Sequence, residues 1–203
     1  MKTITQKELQ IVLALHAKWL NNEEGGQRAD LSYTDLRDVD LIGADLRGAN
    51  LEGANLEGAC LTGADLTGAN LRFANLRFAN LLGANLFNTD LTDADLSFSN
   101  LIGADLRFAD LTDADLTDAD LEDANLRFAK LISTKLISTN LIGSNLECAC
   151  LIGACLTGAD LRRTNLTGAD LRRTNLTFTN LKGVNLLGTK LEDADLTGAK
   201  GLK

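Results

Sequence analysis

The chain has 203 residues with no proline, 4% aromatic residues, a formal net charge of −8 and a pI near 4.7. That charge disfavours non-specific binding to nucleic acid or to an anionic membrane surface, and it suits a basic partner. Hydrophobic residues make up 45%, too many for a disordered chain, and no run approaches the ~18 apolar residues of a membrane span.

Residues 1–28 are expected to form a capping helix and a linker. Thr5-Gln6-Lys7-Glu8 reads as a capping box, with Ile4 and Leu9 as the hydrophobic staple around it. Leu9, Val12, Leu13, His16 and Leu20 come next at helical spacing, and Asn21-Asn22 and Gly25-Gly26 end the element. The apolar stripe predicts a cap packed over the start of the remaining chain, with Trp19 near its edge. A membrane-surface helix would want more than three lysines among these residues. His16 is the single histidine and has no catalytic partner at helical spacing, so it reads as structural. The run Ile11–Leu15 is short and no A-x-A-type cleavage site comes after it. A signal peptide is therefore not expected, and a cytoplasmic location is.

From residue 29 to 200 one pattern takes over. Every fifth residue from Leu31 to Leu196 is leucine, 34 in unbroken register, which makes this a repeat architecture before anything else. The residue two before each leucine is always small. The one just before is Asp, Asn, Lys or Cys, and glycine is the commonest residue two after. Period five is neither helix nor flat strand, so the chain must turn at a short fixed interval. Leucine and the small residue point to one interior, and the other three positions face water. Glycine two after leucine suits a corner with positive φ, as in a type II turn. Phe73, Phe78, Phe98, Phe108, Phe128 and Phe178 occupy the same position, and bulky side chains avoid positive φ. Those corners are expected to turn differently, and the uneven spread of glycine suggests different turns on different sides. Gly201-Leu202-Lys203 break the register and form a C-terminal tail.

The stretch GADLRGANLEGANLEGACLTGADLTGANL, Gly43 to Leu71, closely resembles the pentapeptide repeat family, and the match runs over residues 29–200. The resemblance implies an all-β solenoid, a right-handed quadrilateral β-helix, here with an N-terminal α-helical cap. Four units would make a twenty-residue coil, and 34 units about 8.5 coils, a rod of about 40 Å at ~4.8 Å per coil. No capping helix succeeds the last coil. Its strand edges would be open, which suggests an end-to-end homodimer.

Two surface features stand out as binding candidates. Between Asp90 and Leu126 lie eleven acids, Asp90, Asp93, Asp95, Asp105, Asp110, Asp113, Asp115, Asp118, Asp120, Glu122 and Asp123, against one base, Arg107. All are expected to face water as an acidic belt. Phe128, Ile132, Ile137, Ile142 and Ile152 form a candidate apolar patch, with Ile132 and Ile152 stacked on one side. No metal site is expected. The EF-hand pattern is absent, convex corners do not enclose an ion, and Cys148, Cys150 and Cys155 lack zinc-site spacing. No cofactor fingerprint and no nucleophile–base set appears, so an enzyme is not expected. The leading expectation is a non-catalytic structural or protein-interaction scaffold. The alternative, implied by the resemblance, is a DNA-mimicking modulator of DNA gyrase or another DNA-binding protein, because gyrase-protecting members of the family are acidic rods that resemble duplex DNA.

Overall fold

The computed structural model describes residues 1–202; Lys203 of the tail lies outside the described residues. The chain opens with a two-residue strand, β1 (Lys2–Thr3), then helix α1 (Gln6–Leu20), then β2 (Thr34–Asp35) within the first coil. Thr5 caps α1 as its sequence requires. Its hydroxyl accepts from the Glu8 N–H at 3.2 Å, and the Glu8 carboxylate accepts from the Thr5 N–H at 2.8 Å. The Thr5 hydroxyl, which also donates to the Glu8 carboxylate at 2.7 Å, and then the Thr5 N–H hold Glu8 below the usual carboxylate range. β1 was not legible in the sequence. It pairs in parallel with β2, Lys2 opposite Thr34, and so covers one open edge of the first coil.

Beyond residue 29 the chain is a coil of twenty residues per turn. Parallel bridges join each polar pre-leucine residue to the one twenty positions on, from Asp30↔Asn50 to Asn180↔Lys200. The hydrogen bonds run both ways. The Leu31 N–H donates forward to the Asn50 carbonyl at 2.8 Å, and the Asn50 N–H donates back to the Ala29 carbonyl at 2.9 Å. Four five-residue sides therefore make each coil. We number the faces by their polar residues in the first coil. The first face carries residues 30–33 and every twentieth residue on. The second carries 35–38, the third 40–43 and the fourth 45–48.

The leucines fill the interior, and Leu46 to Leu171 are essentially inaccessible. Where the small residue is Thr or Ser, its buried hydroxyl finds a backbone carbonyl. Thr134 donates to Leu111 O at 2.7 Å, and Thr139 to Leu116 O at 2.8 Å. A threonine at these sites thus meets the rule that buried polar groups be bonded.

The expectation for the phenylalanine corners is overturned. All 34 corner residues have positive φ, including Phe73 (57°), Phe78 (58°), Phe98 (60°), Phe108 (59°), Phe128 (60°) and Phe178 (59°). All four sides turn alike. The stack overrides the side chain's preference. Each corner N–H must meet the next coil, as Phe73 N–H meets Thr92 O at 3.1 Å, and the following residue must close the turn, as Ala74 N–H does to Leu71 O at 3.1 Å. A left-handed residue costs roughly 1–2 kcal/mol, and these bonds with ring stacking offset it. Phe78 stacks on Phe98 at 5.1 Å and Phe108 on Phe128 at 5.0 Å between centroids, matching the coil spacing. An exposed corner without such stacking carries the strain uncompensated. Arg173 is one, with φ of 58° and no ion pair among the described residues. Arg173→Gly is expected to raise stability by about 0.5–1 kcal/mol, the left-handed strain minus glycine's extra freedom when unfolded. A urea midpoint that falls would contradict this.

The two ends differ. At the first coil Leu9 is 1% exposed, and Ile4, Val12 and Leu13 pack beside it on the core. His16 is 0% exposed, accepts from the Ala29 N–H through Nδ1 at 3.0 Å and stacks on Trp19. Gly26 lies where a Cβ would collide with the Trp19 backbone, so only glycine lets the linker fold back under α1. In the last coil Leu186, Leu191 and Leu196 are only half-buried. Their N–H groups meet no carbonyl among the described residues.

Candidate interaction surface

The outward residues have two kinds of position, and the distinction decides what the acidic belt is. The residue before most of the leucines is half-buried and, where it is Asp or Asn, holds the turn. Its carboxylate or amide oxygen accepts the N–H two residues on, as Asp90 does from Thr92 (3.1 Å) and Asp120 from Glu122 (3.1 Å). Only Asp and Asn put an oxygen at that reach, which is why they dominate there. Asn side chains also bond coil to coil, as Asn75 does to Asn55 at 3.0 Å. Asp90, Asp95, Asp105, Asp110, Asp115 and Asp120 belong to this structural class. Asp93, Asp113, Asp118 and Asp123 stand on exposed corners instead, and Glu122 beside one.

The belt is therefore less acidic than its composition suggests. Lys130 sits one coil above Asp110 and pairs with it at 2.9 Å, and Lys135 pairs with Asp115 at 3.1 Å. Arg107 pairs with Asp105 at 2.6 Å, and Arg77 reaches Asp95 at 3.5 Å. The Arg107 guanidinium holds Asp105 below the usual carboxylate range. Partial burial pushes Asp110 and Asp115 up. Hydrogen bonds from Thr112 and Thr117 and from the two lysines outweigh it, so both lie low. The seven acids without a base are also spread over three faces: Asp90, Asp93 and Asp113 on the first, Asp118 on the second, and Asp120, Glu122 and Asp123 on the third. The unpaired acids, read in sequence as one belt, are thus divided between the first and third faces, with Asp118 alone on the second. The two lysine pairs were hidden because their partners lie twenty residues apart; writing the sequence in rows of twenty reveals them.

The apolar patch does not assemble. Phe128 is on the fourth face, Ile132 and Ile152 on the first, Ile137 on the second and Ile142 on the third. Only Ile132 and Ile152 are neighbours, as the Ser133 N–H to Ile152 O bond of 3.0 Å fixes. Residues five apart in a four-sided coil point a quarter-turn apart, so closeness in sequence separated them. The exposed aromatic columns lie elsewhere. Phe87 meets Phe108 edge-on at 5.5 Å below the Phe108–Phe128 stack, and Arg77 lies over both Phe78 and Phe98.

Cys60, Cys148, Cys150 and Cys155 are free and occupy four different faces. Among the described residues no three His, Cys, Asp or Glu side chains converge to hold a metal, and no helix is long and apolar enough to cross a membrane.

A stacked parallel coil with a leucine interior and all its charged groups on outer faces defines a β-solenoid repeat protein. The pentapeptide repeats match in eight copies across residues 27–63, 61–93, 89–127, 124–163 and 159–198, and the chain belongs to that family. Among solved structures it is similar to HetL, a pentapeptide repeat protein involved in heterocyst differentiation regulation from the cyanobacterium Nostoc sp. strain PCC 7120. The identity is 40% over 85% of this chain and 78% of that one, with a TM-score of 0.50. It also resembles QnrB1, a plasmid-mediated fluoroquinolone resistance protein, at 22% identity over 83% of this chain and 89% of that one, with a TM-score of 0.47. A third is a pentapeptide repeat protein from the thylakoid lumen of Arabidopsis thaliana, at 30% identity over 66% and 69% of the two chains, with a TM-score of 0.33. No curated protein matches the chain.

Proposed function

We propose that this protein is a non-catalytic scaffold that presents fixed side chains to a protein partner. The observation that carries this reading is the placement of the polar groups. The leucine columns fill the interior, and every carboxylate of the belt stands on a convex face where a substrate could not be desolvated. The likeness to HetL, described as involved in regulation, supports a regulatory rather than a chemical role. In this reading α1 is the N-terminal cap and the coil is right-handed, the hand that parallel β connections take. Its surface neither binds nucleic acid directly nor docks on membrane, because its net charge of −8 repels both. The half-buried leucines of the last coil are covered by a second copy, end to end. The protein works in the cytoplasm, a reading supported by cysteines that sit on four faces rather than in pairs.

The DNA-mimic reading draws less support, because four of the eleven belt acids are paired with bases and the rest are divided among three faces. A gyrase supercoiling assay separates the two. The scaffold reading expects no inhibition at micromolar protein and no relief of quinolone poisoning. Inhibition that disappears when Asp93, Asp113, Asp118 and Asp123 are changed to Asn would overturn it in favour of mimicry.

A further inference from the structure

The third face has glycine at most of its corners and carries charges of both signs on either side of an uncharged coil. Its corners are Gly43, Gly63, Gly83, Gly103, Gly143 and Gly183, interrupted only by Asp123 and Arg163. With no side chain at Gly43, Gly83 and Gly103, the neighbouring Ile42, Leu82 and Ile102 stand beside open space, whereas at Gly143 the Asp123 carboxylate reaches over the corner beside Ile142. Ile42 and Leu82 are among the exposed large hydrophobics.

Along this face the acids Glu122 and Asp123 and the bases Arg162 and Arg163 lie on opposite sides of Ile142. One coil before it stand Asp120, Glu122 and Asp123. One coil after it stand Asp160, Arg162 and Arg163, and one coil further Lys182, whose counterpart two coils before is Ile102. The intervening coil is uncharged, with Asn140, Ile142 and Gly143. None of Asp120, Glu122, Asp123, Arg163 and Lys182 has an ion-pair partner among the described residues, whereas Arg162 is held by Asp160 at 2.8 Å. Glu122, Ile142, Arg162, Arg163, Lys182 and Gly183 line one continuous surface groove.

We propose that the third face binds a second copy of this chain side by side and antiparallel, about a two-fold axis through Ile142. A two-fold contact requires one patch to complement itself, residue i meeting j while j meets i. Turning one rod end for end about Ile142 lays Glu122 over Arg162 and Asp123 over Arg163, twice in each dimer, with the two Ile142 side chains at the centre; Asp120 comes over Asp160, whose charge Arg162 of its own chain offsets. A foreign partner would have to present both signs at this spacing; a second copy of the chain does so by itself, with Glu122 and Asp123 as far from Ile142 as Arg162 and Arg163. The contact goes beyond the scaffold reading and is separate from the open C-terminal coil. It spans a few coils, small beside the ~800 Å² per partner of a standard interface, and is therefore weak and reversible. Its ion pairs are solvent-exposed, so salt screens them.

Velocity sedimentation at high protein concentration tests this. The side-by-side contact is expected in low salt and is lost near 1 M salt, where the Debye length is about 3 Å and only the apolar end-to-end contact persists. Arg163→Glu with Lys182→Glu, and separately Glu122→Lys with Asp123→Lys, should each weaken self-association at least tenfold. These side chains are outside the core, so thermal midpoints serve as the folding control. Mixing the two variants should restore a dimer, because one then presents mostly acids and the other mostly bases. In a chain with Cys60, Cys148, Cys150 and Cys155 changed to Ser, Ile142→Cys should form a disulfide-linked dimer. A monomer at every salt concentration overturns the proposal. So does a mixture that stays monomeric, or a dimer indifferent to both charge reversals. That last result would assign the contact to the C-terminal coil and leave the end-to-end reading standing.

Discussion

Leu111→Asp is expected to break the rod in the middle. Leu111 is completely buried between neighbouring coils. The substitution forfeits about 1.5–3 kcal/mol of apolar burial and places a carboxylate where no cation reaches, at several kcal/mol more. Each coil contacts only its neighbours, so the loss is local in origin. Denaturation should begin at the centre, with an earlier and broader urea transition than the wild type. Leu191→Asp supplies the control, because Leu191 is half-buried at the open end and its carboxylate would reach water. It should cost only a fraction as much. Equal losses at the two sites would mean that the leucine column is not a continuous interior.

Leu9→Ala should detach the helix from the first coil. Its side chain is the deepest apolar contact of α1, and truncating such a residue costs about 2–5 kcal/mol. Trp19 is the single tryptophan and stacks on His16 with centroids 5.4 Å apart, so its fluorescence reports helix docking without labels. The variant should shift that emission at lower denaturant than the wild type, ahead of the coil signal. Acid should act on the same joint. Burial holds His16 below its ordinary value of 6.5, with a smaller opposing pull from Asp45. A depressed imidazole favours the docked state fully above 6.5. That stability is lost as the pH falls through the lower folded value. Docking unaffected by Leu9→Ala would show that α1 is held by its linker rather than by packing.

The interior was readable in the sequence because period five leaves leucine no alternative. From Leu31 to Leu176 every one is buried in the structure. The helix was readable through its capping box. The rest failed for physical reasons. The steric preference of phenylalanine speaks against its corners, but the hydrogen bonds of the stack fix φ before the side chain has a say. The acidic belt looks continuous among neighbours in sequence, but the neighbours that neutralise Asp110 and Asp115 are Lys130 and Lys135, one coil away. The apolar patch failed by the same geometry in reverse. Two-residue β1 carries no periodic signal at all, and only its pairing with Thr34–Asp35 reveals it. What sequence spacing conceals in a solenoid is the contact between coils, and there the candidate interaction surface is decided.

All of these assignments rest on four sides per coil. Engineered disulfides measure that number directly, in a chain whose native cysteines are changed to Ser. Asp118 and Ser138 are exposed corner residues on one face in consecutive coils. At about 5 Å per coil their Cα atoms fall within the roughly 4.4–6.8 Å that a disulfide spans. Asp118→Cys with Ser138→Cys should close an intramolecular bond under mild oxidation. Asp118→Cys with Ser133→Cys, or with Gly143→Cys, should not, because those corners lie on the adjoining faces. A bond in either of the latter pairs and none in the first would mean three or five sides, and would contradict the placement of every charged cluster on its face.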